Sequence, residues 1–267
     1  MLVSYLRKIH FDIAFILHRS FTKALLTFLA GIKERIGYPT KKRGLLLTKT
    51  IDLPEEEVHK VEYFLGIAGG FGIKPREVSY EFFVQDTDRE SVNKFLKRHG
   101  VSDKDCLIVL CPGGNWNPKR WPKENFAILA DMLADGLGAK IVLSGAKKDA
   151  ILAGEIRGMM KNAPIISCGE TTLKELGALL ERADLVVAND SGPMHLAVAM
   201  KSNVIALFGP TSPELTGPYG KGNYRVIWKT GECAVPCYDV TCADNRCMKL
   251  ITAEEVFKEA EKFIVKK

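Results

Sequence analysis

The sequence predicts an α/β fold, and three observations carry that prediction. From about position 106 onward, short apolar runs alternate with stretches of helical character five times in succession. The turns after those runs hold Gly, Pro, Asp and Ser, the residues that end a strand sharply. The runs are apolar throughout rather than alternating, which suits strands buried on both faces of a helix-covered parallel sheet.

Taken in order, residues 1–9 read as a helix and Phe11 to Leu17 as a strand. An amphipathic helix follows to near Gly31, then a short strand over Arg35 to Tyr38 and a basic loop from Pro39 to Lys49. Leu53 opens a long helix to about Gly69, Val78 to Val84 is a strand, and Asp86 to Arg98 is a helix. This is only two or three βα units, fewer than a covered parallel sheet needs, so the front of this domain is expected to be missing.

The second half is clearer. Leu107 to Cys111 is a strand, Pro112 to Pro122 a loop and Lys123 to Ala134 a helix. Ala139 to Ser144 is the next strand, followed by the turn Gly145-Ala146 and a helix from about Lys148 to Met160. Ile165 to Cys168 is a third strand. Thr172 and Glu175 have capping-box spacing and start a helix that ends near Arg182. Ala183 to Val187 is a fourth strand, Met194 to Met200 a helix, and Asn203 to Phe208 a fifth strand. After Tyr219 comes a cysteine-rich loop, and Thr252 with Glu255 opens a last helix to about Val265. Five such strands describe a doubly wound sheet, in which ligands bind outside the carboxyl ends of the strands. The loops 112–122, 145–149, 189–193 and 209–213 therefore share one edge.

The 267 residues suffice for one large domain or two ordinary ones. No apolar run approaches the roughly 18 residues of a membrane span. Charged residues interrupt the apolar patches of the N-terminus, so a secretory leader is not expected and the chain is placed in the cytoplasm. The net charge of +6 is uneven: residues 1–50 hold ten Lys/Arg against two Asp/Glu. That basic portion suits an anionic acceptor or an anionic membrane surface, or is simply solvated. No stripe of basic and aromatic residues and no binding module points to nucleic acid.

The sharpest constellation is Asn189-Asp-Ser-Gly-Pro-Met-His195, set between a strand and a helix. Pro193 suits a first helical turn and Ser191 its cap. A helix start of this kind offers N–H groups and the positive end of the helix dipole to an anion, so a diphosphate is expected here. Asp190 would repel phosphate and is better suited to sugar hydroxyls. His195 is a candidate contact or a structural residue, and Met194 and Met200 line either core or pocket. In the loop 112–122, Gly113 and Gly114 allow close backbone approach, with Lys119 and Arg120 after them as either a diphosphate clamp or a solvated pair. Trp116 and Trp121 read as packing residues. Cys233, Cys237, Cys242 and Cys247 are spaced x3, x4 and x4, without C-x2-C knuckles; reduced thiols and a structural metal both remain open.

Four pieces together resemble glycosyltransferase family 9, the ADP-heptose:lipopolysaccharide heptosyltransferases. They are 112–126 (PGGNWNPKRWPKENF), 172–176 (TLKEL), 183–195 (ADLVVANDSGPMH) and 206–213 (ALFGPTSP), in matching order and spacing. The resemblance implies a GT-B architecture of two Rossmann-like domains, here with the N-terminal one incomplete. It gives a partial acceptor-side domain over 1–100, a nucleotide-sugar-binding domain over 101–250 and a C-terminal helix over 251–267. It implies inverting transfer of heptose from ADP-heptose to the lipopolysaccharide inner core by direct displacement, with no metal and no cofactor. The partners implied are the nucleotide-sugar donor and a lipid-linked anionic saccharide acceptor at the cytoplasmic face of the inner membrane. Lys119 would contact phosphate or sugar, Asp190 the sugar, and Ser191 and Gly192 the diphosphate. Met194 and His195 would line the pocket, and Asp149 would reach the ribose. The family pattern opens with a strand and a Gly-Asp turn whose aspartate is the expected general base; nothing in this sequence matches it. A nucleotide-sugar-binding remnant without turnover is therefore the alternative expectation.

Overall fold

The computed structural model describes residues 1–264. They form two compact units, Met1–Val78 and the remainder from Ser79. The first begins with α1 (Leu2–Ile9), β1 (Ile13–Phe15), α2 (Phe21–Leu29) and β2 (Glu34–Gly37). The short strand β3 (Lys49–Thr50) and helix α3 (Lys60–Gly70) follow. Its three strands pair in parallel in the order β1-β2-β3. Ile36, Tyr38, Ile51, Tyr63 and Ile67 make its larger core cluster, and Ile16, Ala24 and Leu47 a smaller one. The buried Arg43 guanidinium donates to the carbonyls of Tyr38, His18 and Ile16, which replaces the water it loses.

Two expectations for this part of the chain change. The helix expected from Leu53 starts only at Lys60, with the His59 side chain accepting from Val61 N–H. Pro54 and three consecutive glutamates precede that start, and like charges in one turn do not favour a helix. Val78 to Val84 forms no strand. The run packs by side chain instead: Tyr80 and Phe82 lie against the core of the second unit, and Phe82 and Val84 approach Gly177.

The second unit begins with α4 (Asp86–Arg98), β4 (Leu107–Cys111), α5 (Lys123–Leu137), β5 (Lys140–Leu143) and α6 (Ala150–Met159). It continues with β6 (Ile165–Ile166), α7 (Leu173–Arg182), β7 (Leu185–Asn189), α8 (Gly192–Ala199) and β8 (Val204–Phe208). Short α9 (Pro213–Thr216), β9 (Tyr224–Trp228), short α10 (Arg246–Lys249) and α11 (Ala253–Ile264) complete it. All six strands are parallel, in the order β6-β5-β4-β7-β8-β9. This is the doubly wound α/β sheet expected, with one strand more: β9 lies in the stretch after Tyr219 that the sequence reads as irregular. The capping box at Thr172 and Glu175 forms in both directions. Among the described residues no helix is long and apolar enough to cross a membrane.

The division between units falls at 78/79, where the sequence suggests about 100. Helix α4 accounts for the difference. Its Val92, Phe95 and Leu96 are buried in one cluster with Ala178, Leu179 and Leu180 of α7, so it belongs to the second core. The C-terminal helix is likewise part of that unit, since Val256 and Ala260 share a cluster with Leu129 and Leu133 of α5. Val265, the expected end of that helix, lies outside the described residues.

The strand order places a switch point between β4 and β7: the chain runs outward from β4 to β6, then returns to the other side of β4. Loops leaving two adjacent strands in opposite directions open a crevice at their carboxyl ends. The core assignment of α4 is testable. A fragment from Ser79 is expected to exceed one from Val101 in stability by about 4 kcal/mol or more, since each buried Val, Phe or Leu is worth about 1.5–3 kcal/mol. Urea unfolding of the two fragments measures it, and equal midpoints and slopes would place α4 outside the core.

Candidate functional site

The crevice at the switch point holds a cavity of about 690 Å³. That volume suits a nucleotide-sized ligand. Its walls come from the loops after β4, β5, β6 and β7, including Gly113, Lys119, Asp149, Thr172, Asp190 and Ser191. The loop after β8 contributes behind the wall, where Thr211 Oγ1 donates to Asp190 Oδ2 at 2.7 Å. The edge expected from the strand pattern is thus assembled.

Loop 112–122 is fixed by one side chain. Asn189, the last residue of β7, is fully buried. Its Oδ1 accepts from Trp121 N–H at 3.1 Å, and its Nδ2 donates to the carbonyls of Pro112 at 2.9 Å and Gly113 at 3.2 Å. Both ends of the loop are therefore tied to the strand that carries Asp190. Arg120 adds a second tie by donating from Nε and Nη2 to the Gly114 carbonyl.

The loop so held brings Lys119 Nζ to 2.6 Å from Asp190 Oδ2, and both side chains are mostly buried. Lys119 Nζ also lies 4.8 Å from the centre of the Trp116 ring, a cation–π distance. Both members of the basic pair are partly buried and engaged, Lys119 on Asp190 and Arg120 on the Gly114 carbonyl. Trp121 is the packing residue expected, nearly fully buried against Phe126 with its indole N–H on the Ile251 carbonyl. Trp116 differs, since it lines the cavity.

Ser191 is the N-cap residue of α8, but its hydroxyl donates to the Asn189 carbonyl at 3.1 Å rather than capping the helix. The start of α8 therefore faces the cavity at Ser191, Gly192 and Pro193 without a side-chain cap, and Gly192 has open space around it. His195 lines the same wall, with Tyr80 edge-on at 5.6 Å between ring centres. Met194 is a correction: it is fully buried in the core with Val186, Ala188 and Ala206, because its position in the first turn faces the sheet and not the crevice.

Asp149 lines the cavity and is also a strut. Its Oδ2 accepts from Ala146 N–H at 3.0 Å. Its carboxylate lies so near Gly113 and Gly145 that a Cβ on either would come within 2.9 Å. Burial pushes the Cys111 thiol up to about 12 and Cys168 to about 11, with the Asp149 charge adding to both. Cys111 is thus a neutral wall of the cavity and not a nucleophile. In the cysteine-rich loop, Cys247 is buried beneath Gly209 and Cys233 is exposed. Among the described residues no three His, Cys, Asp or Glu side chains are grouped to hold a metal. The sequence puts Asn189 in the polar turn without a role for it, and gives no sign of Ser144 and Thr171, which line the cavity. The position of Asn189 at the junction of strand and polar turn was the available signal.

The model of glycosyltransferase family 9 (heptosyltransferase) matches residues 1–247. The chain belongs to that family. Lipopolysaccharide heptosyltransferase 2 of Escherichia coli is 31% identical to this family-9 chain, covering 95% of it and 76% of the relative. Lipooligosaccharide heptosyltransferase 2 of Haemophilus ducreyi is 32% identical, covering 79% of the chain and 64% of the relative. The chain thus spans about two thirds to three quarters of the length of these relatives. Among solved structures, a family-9 glycosyl transferase from Veillonella parvula superposes with TM-score 0.86 at 26% identity, over 100% of this chain and 78% of that one. The E. coli ADP-heptose lipopolysaccharide heptosyltransferase II gives 0.83 at 28%, over 99% and 80%. These matches give the family-9 chain the GT-B class expected from its motifs.

Asn189→Ala removes the partner of one buried N–H and two carbonyls. At about 1–3 kcal/mol for each group left unpaired, with some repair by water, a loss of about 2–4 kcal/mol is expected. Urea unfolding measures it; a change within about 0.5 kcal/mol would show that the loop is held by other contacts.

Proposed function

We propose that the cavity binds the nucleotide diphosphate of ADP-heptose, and that the chain transfers the heptose to a lipid-linked inner-core acceptor of lipopolysaccharide. The observation that carries this is the apposition of Lys119 with the uncapped start of α8 across one crevice at the switch point. Two sources of positive potential then face one anion site, and one of them costs no desolvation of a side chain. The relatives support the donor and acceptor, being named for heptose transfer in lipopolysaccharide and lipooligosaccharide, and one solved relative for ADP-heptose.

In this reading Ser191, Gly192 and the start of α8 hold the diphosphate, and Asp149 reaches the ribose. His195 lines the pocket beside them. Lys119 is paired with Asp190, so the cavity does not present a bare cation to every passing anion. An arriving diphosphate shares Lys119 with Asp190. Both bonds from Lys119 and Thr211 fall on Asp190 Oδ2, which leaves Oδ1 for hydroxyls of the sugar. As the bond from sugar to diphosphate breaks, charge grows on the leaving oxygen, and a positioned ammonium and helix start stabilise it more than they do the ground state. Direct displacement from the opposite face inverts the anomeric centre. The excess of Lys and Arg over residues 1–50 supports an anionic acceptor, and in this reading the work is done at the cytoplasmic surface of the inner membrane. The acceptor hydroxyl oxygen bonds the anomeric carbon, ADP departs with the electron pair of the broken bond, and the hydroxyl proton is released to solvent.

Calorimetric titration with ADP tests the donor site. Lys119→Ala is expected to weaken ADP at least tenfold, since a charge-assisted hydrogen bond is worth about 1.5–3 kcal/mol. A wild-type chain that fails to bind ADP would sink the proposal. ADP release from ADP-heptose in the presence of acceptor tests transfer; binding without release would leave a nucleotide-sugar-binding protein that does no chemistry.

A further inference from the structure

The stretch 79–85 has no part in the proposed reaction. It opens the second unit and pairs with no strand. Burial nevertheless alternates along it: Tyr80, Phe82 and Val84 are half-buried, while Ser79, Glu81 and Phe83 are exposed. Such alternation belongs to an extended segment laid on a surface. Side-chain contacts hold it, so it is a strap and not a strand.

The seat of the strap is on α7. Lys174, Gly177 and Glu181 fall at i, i+3 and i+7 and share one face of that helix. A Cβ on Gly177 would come within 2.9 Å of Phe82 and 3.0 Å of Val84. Glycine weakens a helix interior, and the passage of the strap is the reason for this one. The Lys174 ammonium lies 4.7 Å from the centre of the Phe82 ring and donates to the Phe83 carbonyl. Leu173 and Leu176, each one position before a seat residue, line the cavity.

The start of the strap reaches α8. The Tyr80 ring stands at 89° to the His195 ring with 5.6 Å between centres, and Tyr219 lies 6.4 Å from Tyr80. His195 is among the residues that line the cavity, and Tyr80 is not. A histidine side chain has two soft torsions, and a ligand that requires one setting of them loses affinity to the entropy of fixing it. A perpendicular aromatic contact already made in the folded chain removes that loss.

We propose that Tyr80 is a positioning residue: the strap, seated at Gly177, holds its ring against His195 and so fixes the imidazole in the wall of the cavity. The assignment rests on the cavity being a nucleoside diphosphate site. Tyr80 itself touches no ligand, and its effect on binding passes through His195 alone. The strap and the two helices α7 and α8 thus form one support behind the cavity wall.

The test is a double-mutant cycle on ADP affinity, measured by calorimetry on the whole chain. Tyr80→Leu is expected to weaken ADP about threefold, the worth of one aromatic contact, and to have no further effect in the His195→Ala background. Tyr80→Phe keeps the ring and is expected to retain wild-type affinity. Phe82→Leu, whose ring sits on α7, is expected to lower the urea midpoint and leave ADP affinity unchanged. Gly177→Ala gives the same cycle with Tyr80 intact: the displaced strap is expected to weaken ADP only where His195 is present. Wild-type ADP affinity in Tyr80→Leu would overturn the proposal. Equal losses with and without His195 would overturn it too, since Tyr80 would then be a packing residue. Both results leave the donor site standing. A wild-type chain that binds no ADP would overturn the nucleotide reading and this assignment together.

Discussion

The amide of Asn189 is the interaction on which the site depends. Loop 112–122 contains two adjacent glycines and would otherwise sample many backbone states, since glycine restricts φ least. Three hydrogen bonds from one buried side chain tie both ends of that loop to β7. Lys119 and Asp190 are 71 residues apart in sequence, yet their contact follows from this tie. A largely buried ion pair is not in itself a source of stability, because the desolvation of both charges offsets their attraction. What the pair does is positional: it holds the Lys119 ammonium on Asp190, in the wall of the cavity that the start of α8 also lines.

The sequence made much of the second unit legible and less of the first. Strands β4, β7 and β8 are apolar at every position and fully buried, so pattern and burial agree. Strand β9 was hidden because it lies at the edge of the sheet. Of Tyr224, Arg225, Val226, Ile227 and Trp228 only Ile227 is buried, and the second position is charged. The stretch Val78 to Val84 misled in the opposite direction. Its alternation of apolar side chains is real and places Tyr80 and Phe82 against the core, but periodicity reports burial and cannot report a ladder partner. The start of α3 depended on the cap at His59, which the apolar pattern does not encode.

Site residues divide along the same line. Residues that act through chain chemistry near at hand were visible: the polar turn into α8, the proline inside its first turn, and the lysine after a Gly-Gly loop. Residues that act through distant contacts were not. Asn189 looks like any polar residue at a strand end until its partners 68 to 77 positions earlier are known. The residues alone leave Met194 open between core and pocket, and the family resemblance implies the pocket. A helix turns about 100° per residue, so neighbours in sequence face different ways, and Met194 faces the sheet.

The tail after Tyr219 has a structural part in the same site, which its irregular sequence hides. Asn245 donates to the Arg120 carbonyl, and the Arg120 side chain holds the Gly114 carbonyl. Cys237 N–H donates to the Pro210 carbonyl, in the loop that carries Thr211. The tail therefore braces from behind two loops whose front faces make the cavity. On the other side of the cavity Asp149 fills the space that side chains at Gly113 and Gly145 would need. Asn245, Asp149 and Asn189 thus all bear on loop 112–122, at Arg120, at Gly113 and at both of its ends. A ligand entering such a crevice meets groups already in position, and the ordering cost of its site has been met in folding.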